Sequence, residues 1–254
     1  MVEKCRCAYR PHMPDAVFDD PRLAAVYDAL DPDRSDLEVY AEIVRDVRAR
    51  RVLDVGCGTG TFAIMLAATG VQVTGVDPDR ASLDVARGKS GAERVTWIEG
   101  DATTLPPMQV DLATMTANVA QVFLTLAELE ATLHGIRAAL RPGGWLVFET
   151  RDPAKRAWEG WTRERTDRRT DVEGVGVIRE WEDVTQVAEP LVSFRSTNVF
   201  ESDDLVLISD STLRFHGREE VEQALLTCAF AIQDVRDAPD RPGRELVFVA
   251  RAQE

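Results

Sequence analysis

The 254-residue chain has no apolar run approaching the ~18 residues that a membrane-spanning helix requires. Met1 to Asp20 likewise lack the apolar core of a secretory signal. Lysine is nearly missing, with Lys4, Lys89 and Lys155 the three in the chain, and 30 basic residues against 44 acidic ones leave a net charge of −14. Nucleic acid is therefore a poor partner, because neutralising phosphates takes clustered cations, and only Arg163 to Arg169 offers a local basic strip. Cysteine is scarce too. The four thiols (Cys5, Cys7, Cys57, Cys228) are expected to stay free in a reducing cytoplasm. Cys5 and Cys7 with His12 supply three metal-ligand side chains and no fourth at a useful spacing, so no metal is expected.

What is present is an ordinary globular composition, 44% hydrophobic and 29% charged, long enough for one or two domains. Between residues 50 and 150 short apolar runs alternate with helical periodicity, the pattern of successive βα units and a parallel sheet. The strands are expected at Arg51–Val55, Val71–Val76, Arg94–Glu99, Val110–Thr116 and Trp145–Thr150. Thr125-Leu-Ala-Glu128 fits a capping box ahead of a helix with its stripe at Leu126, Leu129, Leu133, Ile136 and Leu140, and Arg141-Pro-Gly-Gly144 stops it. Two helices, Pro21–Leu30 and Asp36–Ala49, should precede the first strand. After the fifth strand the period becomes two: Val175–Val187, Leu191–Glu201 and Leu205–Phe215 predict three strands of an antiparallel meander. A helix at Gly217–Phe230 and a strand at Glu245–Ala250 complete the sheet.

The most informative segment is Val52-Leu-Asp-Val-Gly-Cys-Gly-Thr-Gly60, a buried strand running into three alternate glycines and an apolar helix. Such a turn lets a ligand lie against bare backbone at a helix N-terminus, at the carboxyl ends of the strands. A dinucleotide loop would read G-x-G-x-x-G; here Thr61 stands where its third glycine belongs. Asp77, ending the second strand, could grip two ribose hydroxyls of either kind of ligand.

These residues resemble the class I S-adenosylmethionine-dependent methyltransferases. The resemblance runs from Val52 to Thr150 through V-L-D-V-G-C-G-T-G, V-T-G-V-D ending at Asp77, E-G-D-A ending at Ala102, the fourth strand with Asn118 beyond it, and L-R-P-G-G-W-L-V-F. It implies a doubly wound α/β fold, a mostly parallel seven-stranded Rossmann-like sheet whose seventh strand inserts antiparallel beside the fifth. It implies S-adenosyl-L-methionine as cofactor, with Gly56, Cys57, Gly58 and Gly60 cradling its methionine portion. Asp77, followed by Pro78, would hold the ribose. Asp101 would take the adenine amino group with the Ala102 backbone beside it, and Asp54 would order the loop or reach the ammonium through water. Asn118 would approach the methionine end. The meander resembles the small-molecule branch of the family.

Residues 1–20 are expected to be a disordered leader, 21–150 with 217–254 the cofactor-binding domain, and 151–216 an inserted β subdomain serving as acceptor lid or interface, with a homodimer one possibility. Methyl transfer from a sulfonium is an in-line displacement that needs a lone pair held near the methyl carbon; an amine acceptor must only arrive neutral, whereas a hydroxyl wants a base. The expected partner is thus a small molecule methylated on N or O. Candidate catalytic residues are Tyr27 on the first helix, Asn118, and His216 where the meander hands back to the helix. Trp158, Trp161 and Trp181 could wall an acceptor pocket or pack the subdomain; Arg179 and Arg214 could meet an acceptor anion or face solvent. Two other readings stay open: a nicotinamide-dependent oxidoreductase, and a catalytically idle cofactor-binding protein.

Overall fold

The computed structural model describes residues 20–238 and 241–253. Cys5, Cys7, His12 and nearly all of the expected leader lie outside the described residues. Helices α1 (Pro21–Leu30) and α2 (Asp36–Asp46) come first, α1 capped by the Asp20 carboxylate, which accepts from the amides of Arg22 and Leu23. They are followed by β1 (Arg51–Val55), α3 (Thr61–Ala68), β2 (Gln72–Asp77), α4 (Arg80–Gly88), β3 (Val95–Glu99), β4 (Val110–Met115), α5 (Leu126–Ala139) and β5 (Leu140–Arg151). The predicted capping box is present: Thr125 Oγ1 accepts from the Glu128 amide and the Glu128 carboxylate accepts from the Thr125 amide. The chain then leaves this sheet for β6 (Arg168–Val172), β7 (Gly176–Ala188), β8 (Leu191–Phe200) and β9 (Leu205–Arg214). It returns through α6 (Arg218–Thr227), β10 (Phe230–Asp237) and β11 (Glu245–Ala252).

The strands make two sheets. The larger has seven strands in the order β10-β11-β5-β4-β1-β2-β3, parallel except that β11 runs antiparallel between β5 and β10. Its two faces are covered by separate apolar clusters. Leu129, Leu133 and Ile136 of α5 and Leu225 of α6 pack on one. Leu37 and Ile43 of α2 with Phe62 and Leu66 of α3 pack on the other. Because both faces are buried, β1, β4 and β5 carry apolar side chains to both sides, interrupted by Asp54 in β1 and by Asp111 and Thr114 in β4. The order reverses direction at β1 and β4, so a crevice opens beyond their carboxyl ends.

The smaller sheet is antiparallel, β6-β7-β8-β9. Sequence reasoning anticipated three of its strands; β6 was read as part of a basic strip, because only Val172 of its five residues is buried. β10 carried no separate signal either: it is an edge strand, irregular between Ile232 and Asp234, and α6 ends before it at Thr227 rather than at Phe230. Two apolar clusters seat this sheet on the rest. Leu23 and Val26 of α1 meet Ile178 and Phe200, and Trp158 meets Val192 and Phe215, its ring edge-on to Phe215 at 4.5 Å between centroids. Trp161 lies 4.8 Å from Phe194. Trp158 and Trp161 therefore pack the sheet onto its host, while Trp181 is covered by the guanidinium of Arg163 at 4.0 Å.

Candidate active site

The turn after β1 is shaped by what lies behind it. A side-chain carbon on Gly60 (φ +77°) would stand 2.4 Å from the Trp97 ring, whereas one on Gly58 (φ +52°) would meet nothing within 4 Å. The turn is thus jammed against the protein at one glycine and open at the next, and the open side is where a ligand can touch backbone. Asp77 braces this shape: one carboxylate oxygen accepts from the Gly58 amide at 2.7 Å, the other from the Asp79 amide at 2.8 Å. Each oxygen keeps a second lone pair for a further donor. Burial raises the Asp77 pKa, opposed by those two amides. The Cys57 thiol is pushed up by burial and by the neighbouring Asp54 and Asp77, so it stays protonated. Pro78, next to Asp77, is exposed.

Asp54, inside β1, is 1% exposed. Its Oδ1 accepts from Thr114 Oγ1 at 2.8 Å, and its buried Oδ2 has no hydrogen-bond partner among the described residues. Burial pushes its pKa to about 7 against that one hydrogen bond. An acid buried with an oxygen unmet is costly unless something cationic or protic comes to it. On the other rim Asp101 is exposed, and its Oδ1 accepts from the amide and hydroxyl of Thr103 at 2.7 and 2.6 Å. Ala102 is buried, its carbonyl so close to α5 that a Cβ on Gly135 would stand 2.0 Å from it.

Helix α1 closes over the turn through a residue that sequence reasoning missed. Asp28 accepts from Thr59 Oγ1 at 2.7 Å and Thr61 Oγ1 at 3.1 Å, and pairs with Lys89 Nζ at 2.5 Å. Burial would raise the Asp28 pKa, but the hydrogen bonds from Lys89, Thr59 and Thr61 bring it below its ordinary value. Tyr27 beside it is half-buried, and burial raises its pKa, with Arg34 and Arg151 among the charges around it. It holds its proton at neutral pH and can donate a hydrogen bond.

The loop after β4 forms the opposite wall. Asn118 donates its backbone amide to Glu149 Oε1 at 2.8 Å and its side-chain Nδ2 to Glu245 Oε1 at 3.0 Å. The side chain is thus turned into the protein, and the loop presents backbone. Arg151 donates to Gln121 Oε1 at 2.8 Å and lies over the Trp161 ring. His216 is fully buried, with Nε2 3.1 Å from the Ala120 carbonyl, and its pKa is lowered by burial and then by Arg214. Its Nδ1 is buried with no hydrogen-bond partner among the described residues. Arg179 is tied to Asp167, and Arg214 to Glu220 at 2.9 Å. Glu149, Arg151 and Glu245 were also missed; charged residues closing the apolar run W-L-V-F-E-T-R and opening E-L-V-F-V were the available signal.

Comparisons with known proteins agree with this geometry. Residues 52–144 match the family described as "Methyltransferase domain". The chain is 34% identical over 144 residues to the cypemycin N-terminal methyltransferase of Streptomyces sp., which covers 55% of this chain and 58% of that protein. The curated relatives it matches are thus spanned over about half their length. Two solved structures share the fold. A sugar N-methyltransferase from Streptoalloteichus sp. has a TM-score of 0.76 at 19% identity, with 100% of this chain and 99% of that one covered. An amino pentose methyltransferase from Micromonospora echinaspora, solved with S-adenosylmethionine bound, has a TM-score of 0.66 at 21% identity, with 96% and 100% covered.

Proposed function

We propose that this chain, whose residues 52–144 match a methyltransferase domain, is a class I S-adenosylmethionine-dependent methyltransferase that moves a methyl group from S-adenosylmethionine to a nitrogen or oxygen of a small-molecule acceptor. The observation that carries the reading is the pair of buried acids, Asp54 and Asp77, on either side of a turn left open at Gly58. The cofactor supplies an electrophilic methyl on a sulfonium and brings an ammonium. That charge suits an acid with an unmet oxygen, whereas the two phosphates of a nicotinamide dinucleotide would face carboxylates and little cation.

In this reading Asp77 holds the ribose hydroxyls on an already braced carboxylate, Asp101 takes the adenine amino group through its exposed oxygen, and Asp54 balances the ammonium. The inserted segment 151–216, with its four-stranded sheet, acts as a lid. The acceptor sits between Tyr27 on α1, Arg151 at the end of β5 and Glu182 on β7, which is close enough to feel the Arg151 charge. There Tyr27, which keeps its proton, lines the acceptor site. Apolar contacts of α1 with the lid keep water out and leave the displacement to proximity, which is worth several kcal/mol, on the order of 7–11 at best. No helix among the described residues is long and apolar enough to cross a membrane; the reaction is assigned to a reducing cytoplasm because cysteine is scarce.

Calorimetry with S-adenosylhomocysteine and with NAD⁺ tests the cofactor. Binding of the first alone is expected; binding of the dinucleotide alone would transfer the chain to the oxidoreductases. Asp77→Ala should weaken S-adenosylhomocysteine by about 1–3 kcal/mol, and unchanged affinity in a folded variant removes Asp77 from the ribose role. Mass spectrometry of a metabolite mixture incubated with labelled S-adenosylmethionine separates an enzyme from an idle binder: a labelled product identifies the acceptor.

A further inference from the structure

The loop after β4 has an unusual shape held from behind. Ala117 and Asn118 are consecutive residues in left-handed backbone, φ 57° and 60°, a conformation that side-chain-bearing residues keep only when their surroundings impose it. Asn118 meets a pair of carboxylates from neighbouring strands. Glu149 of β5 takes the Asn118 amide and Glu245 of β11 takes the Asn118 side chain, and the two acids are 3% and 5% exposed. Burial raises the Glu149 pKa and Tyr40 of α2 lies close enough to pull it down, while Glu149 Oε2 is buried with no hydrogen-bond partner among the described residues; Arg241 donates to Glu245 at 2.9 Å, and Arg151 stands opposite Glu245 in the ladder. Directly beyond the bend, Val119 presses on the glycine turn, where a Cβ on Gly56 would meet its two methyls at 2.6 and 2.8 Å. Close-packed contacts of this kind transmit displacement rather than absorb it.

We propose that Glu149 and Glu245 form a two-acid clamp that holds Asn118 in its left-handed bend and, through Val119, fixes the glycine turn in the shape that binds the cofactor. Both are positioning residues: neither touches a reacting atom. The inference rests on the reading that S-adenosylmethionine binds at Gly56–Gly60. A purely structural role would give a different pattern, because acids needed only to neutralise Arg151 and Arg241 would matter equally whatever residue stands at 118.

The test is calorimetry of S-adenosylhomocysteine on the full chain. In a double-mutant cycle, Glu245→Ala should weaken binding about tenfold with Asn118 in place and less than about twofold in the Asn118→Gly background, where the side-chain link is already gone. Equal losses in both backgrounds overturn the clamp. Glu149→Ala should weaken binding about tenfold or more, and Glu149→Gln, which keeps an oxygen for the Asn118 amide, should come back to within about threefold. A glutamine variant as poor as the alanine one overturns it as well. If Glu149→Ala does not fold, the Glu245 cycle decides alone. A wild-type chain that fails to bind S-adenosylhomocysteine sinks the functional reading and the clamp together, whereas failure confined to the variants sinks the clamp only.

Discussion

The two sheets of this protein use their acids in opposite ways. Between β8 and β9 an acid stands in solvent opposite an arginine: Asp210 meets Arg195 at 2.7 Å with side chains 60% and 47% exposed. At the carboxyl edge of the seven-stranded sheet, Asp54, Asp77, Glu149 and Glu245 are 1–5% exposed and meet backbone amides, hydroxyls or an asparagine more than arginines. Exposed pairs are screened and contribute little, whereas buried acids held mainly by neutral donors weigh on the fold. An edge that keeps four of them in place is one where the charge has work to do beyond stability.

Crowding the edge where it is already packed should give the largest effect. Gly60→Ala puts a methyl 2.4 Å from Trp97 and 2.9 Å from Ala86 on a φ of +77°. Strain and overpacking together should cost about 2–5 kcal/mol of unfolding free energy in urea. Gly58→Ala, with open space before it, should cost folding only about 1 kcal/mol while its new methyl obstructs S-adenosylhomocysteine. If the two alanines destabilise equally, the distinction between packed and open glycines is wrong.

A titration gives the next largest effect. Burial raises Asp54 and Glu149 to about 7. The groups facing Glu149 are Tyr40 and Asp36 on α2, Asn118 in the loop and Glu245 on β11. A carboxyl whose folded pKa lies above its unfolded value binds its proton more tightly in the folded state. Its contribution is therefore complete below the unfolded pKa and lost as pH rises through the folded one. The ligand-free protein should lose stability between about pH 4.5 and 7.5, on the order of 2–4 kcal/mol for each such acid. Asp54→Asn should flatten that slope in thermal unfolding series; an unchanged slope would show that Asp54 does not titrate there.

How much of this was legible follows from how far apart the partners lie. The glycine turn, Asp77 and the capping box at Thr125 are local signals, each complete within a few residues, and the five parallel strands announce themselves as short runs rich in β-branched residues alternating with helical periodicity. Glu149 and Glu245 become meaningful only through Asn118, 31 and 127 residues away, and Asp28 only through Thr59 and Thr61. Periodicity cannot express such pairings. β6 and β10 escaped for the opposite reason: they are edge strands, and an edge needs so little apolar surface that it resembles a loop. His216 drew notice because a lone histidine at a junction invites it; its Nε2 lies 3.1 Å from the Ala120 carbonyl, and its Nδ1 is buried with no hydrogen-bond partner among the described residues.

The smallest effect belongs to the other sheet and is the sharpest check on the contrast. Arg195→Ala removes both hydrogen bonds to Asp210, 2.7 and 2.8 Å long, and leaves an exposed acid that water solvates at once. The urea midpoint should stay where it is, and so should S-adenosylhomocysteine affinity, because these side chains lie on the strand face that carries exposed Val206 and Ile208. A clear drop in stability would mean that the ion pairs of the four-stranded sheet act as a network rather than one by one. The difference between the two sheets would then lie in how many partners each acid has, not in its burial.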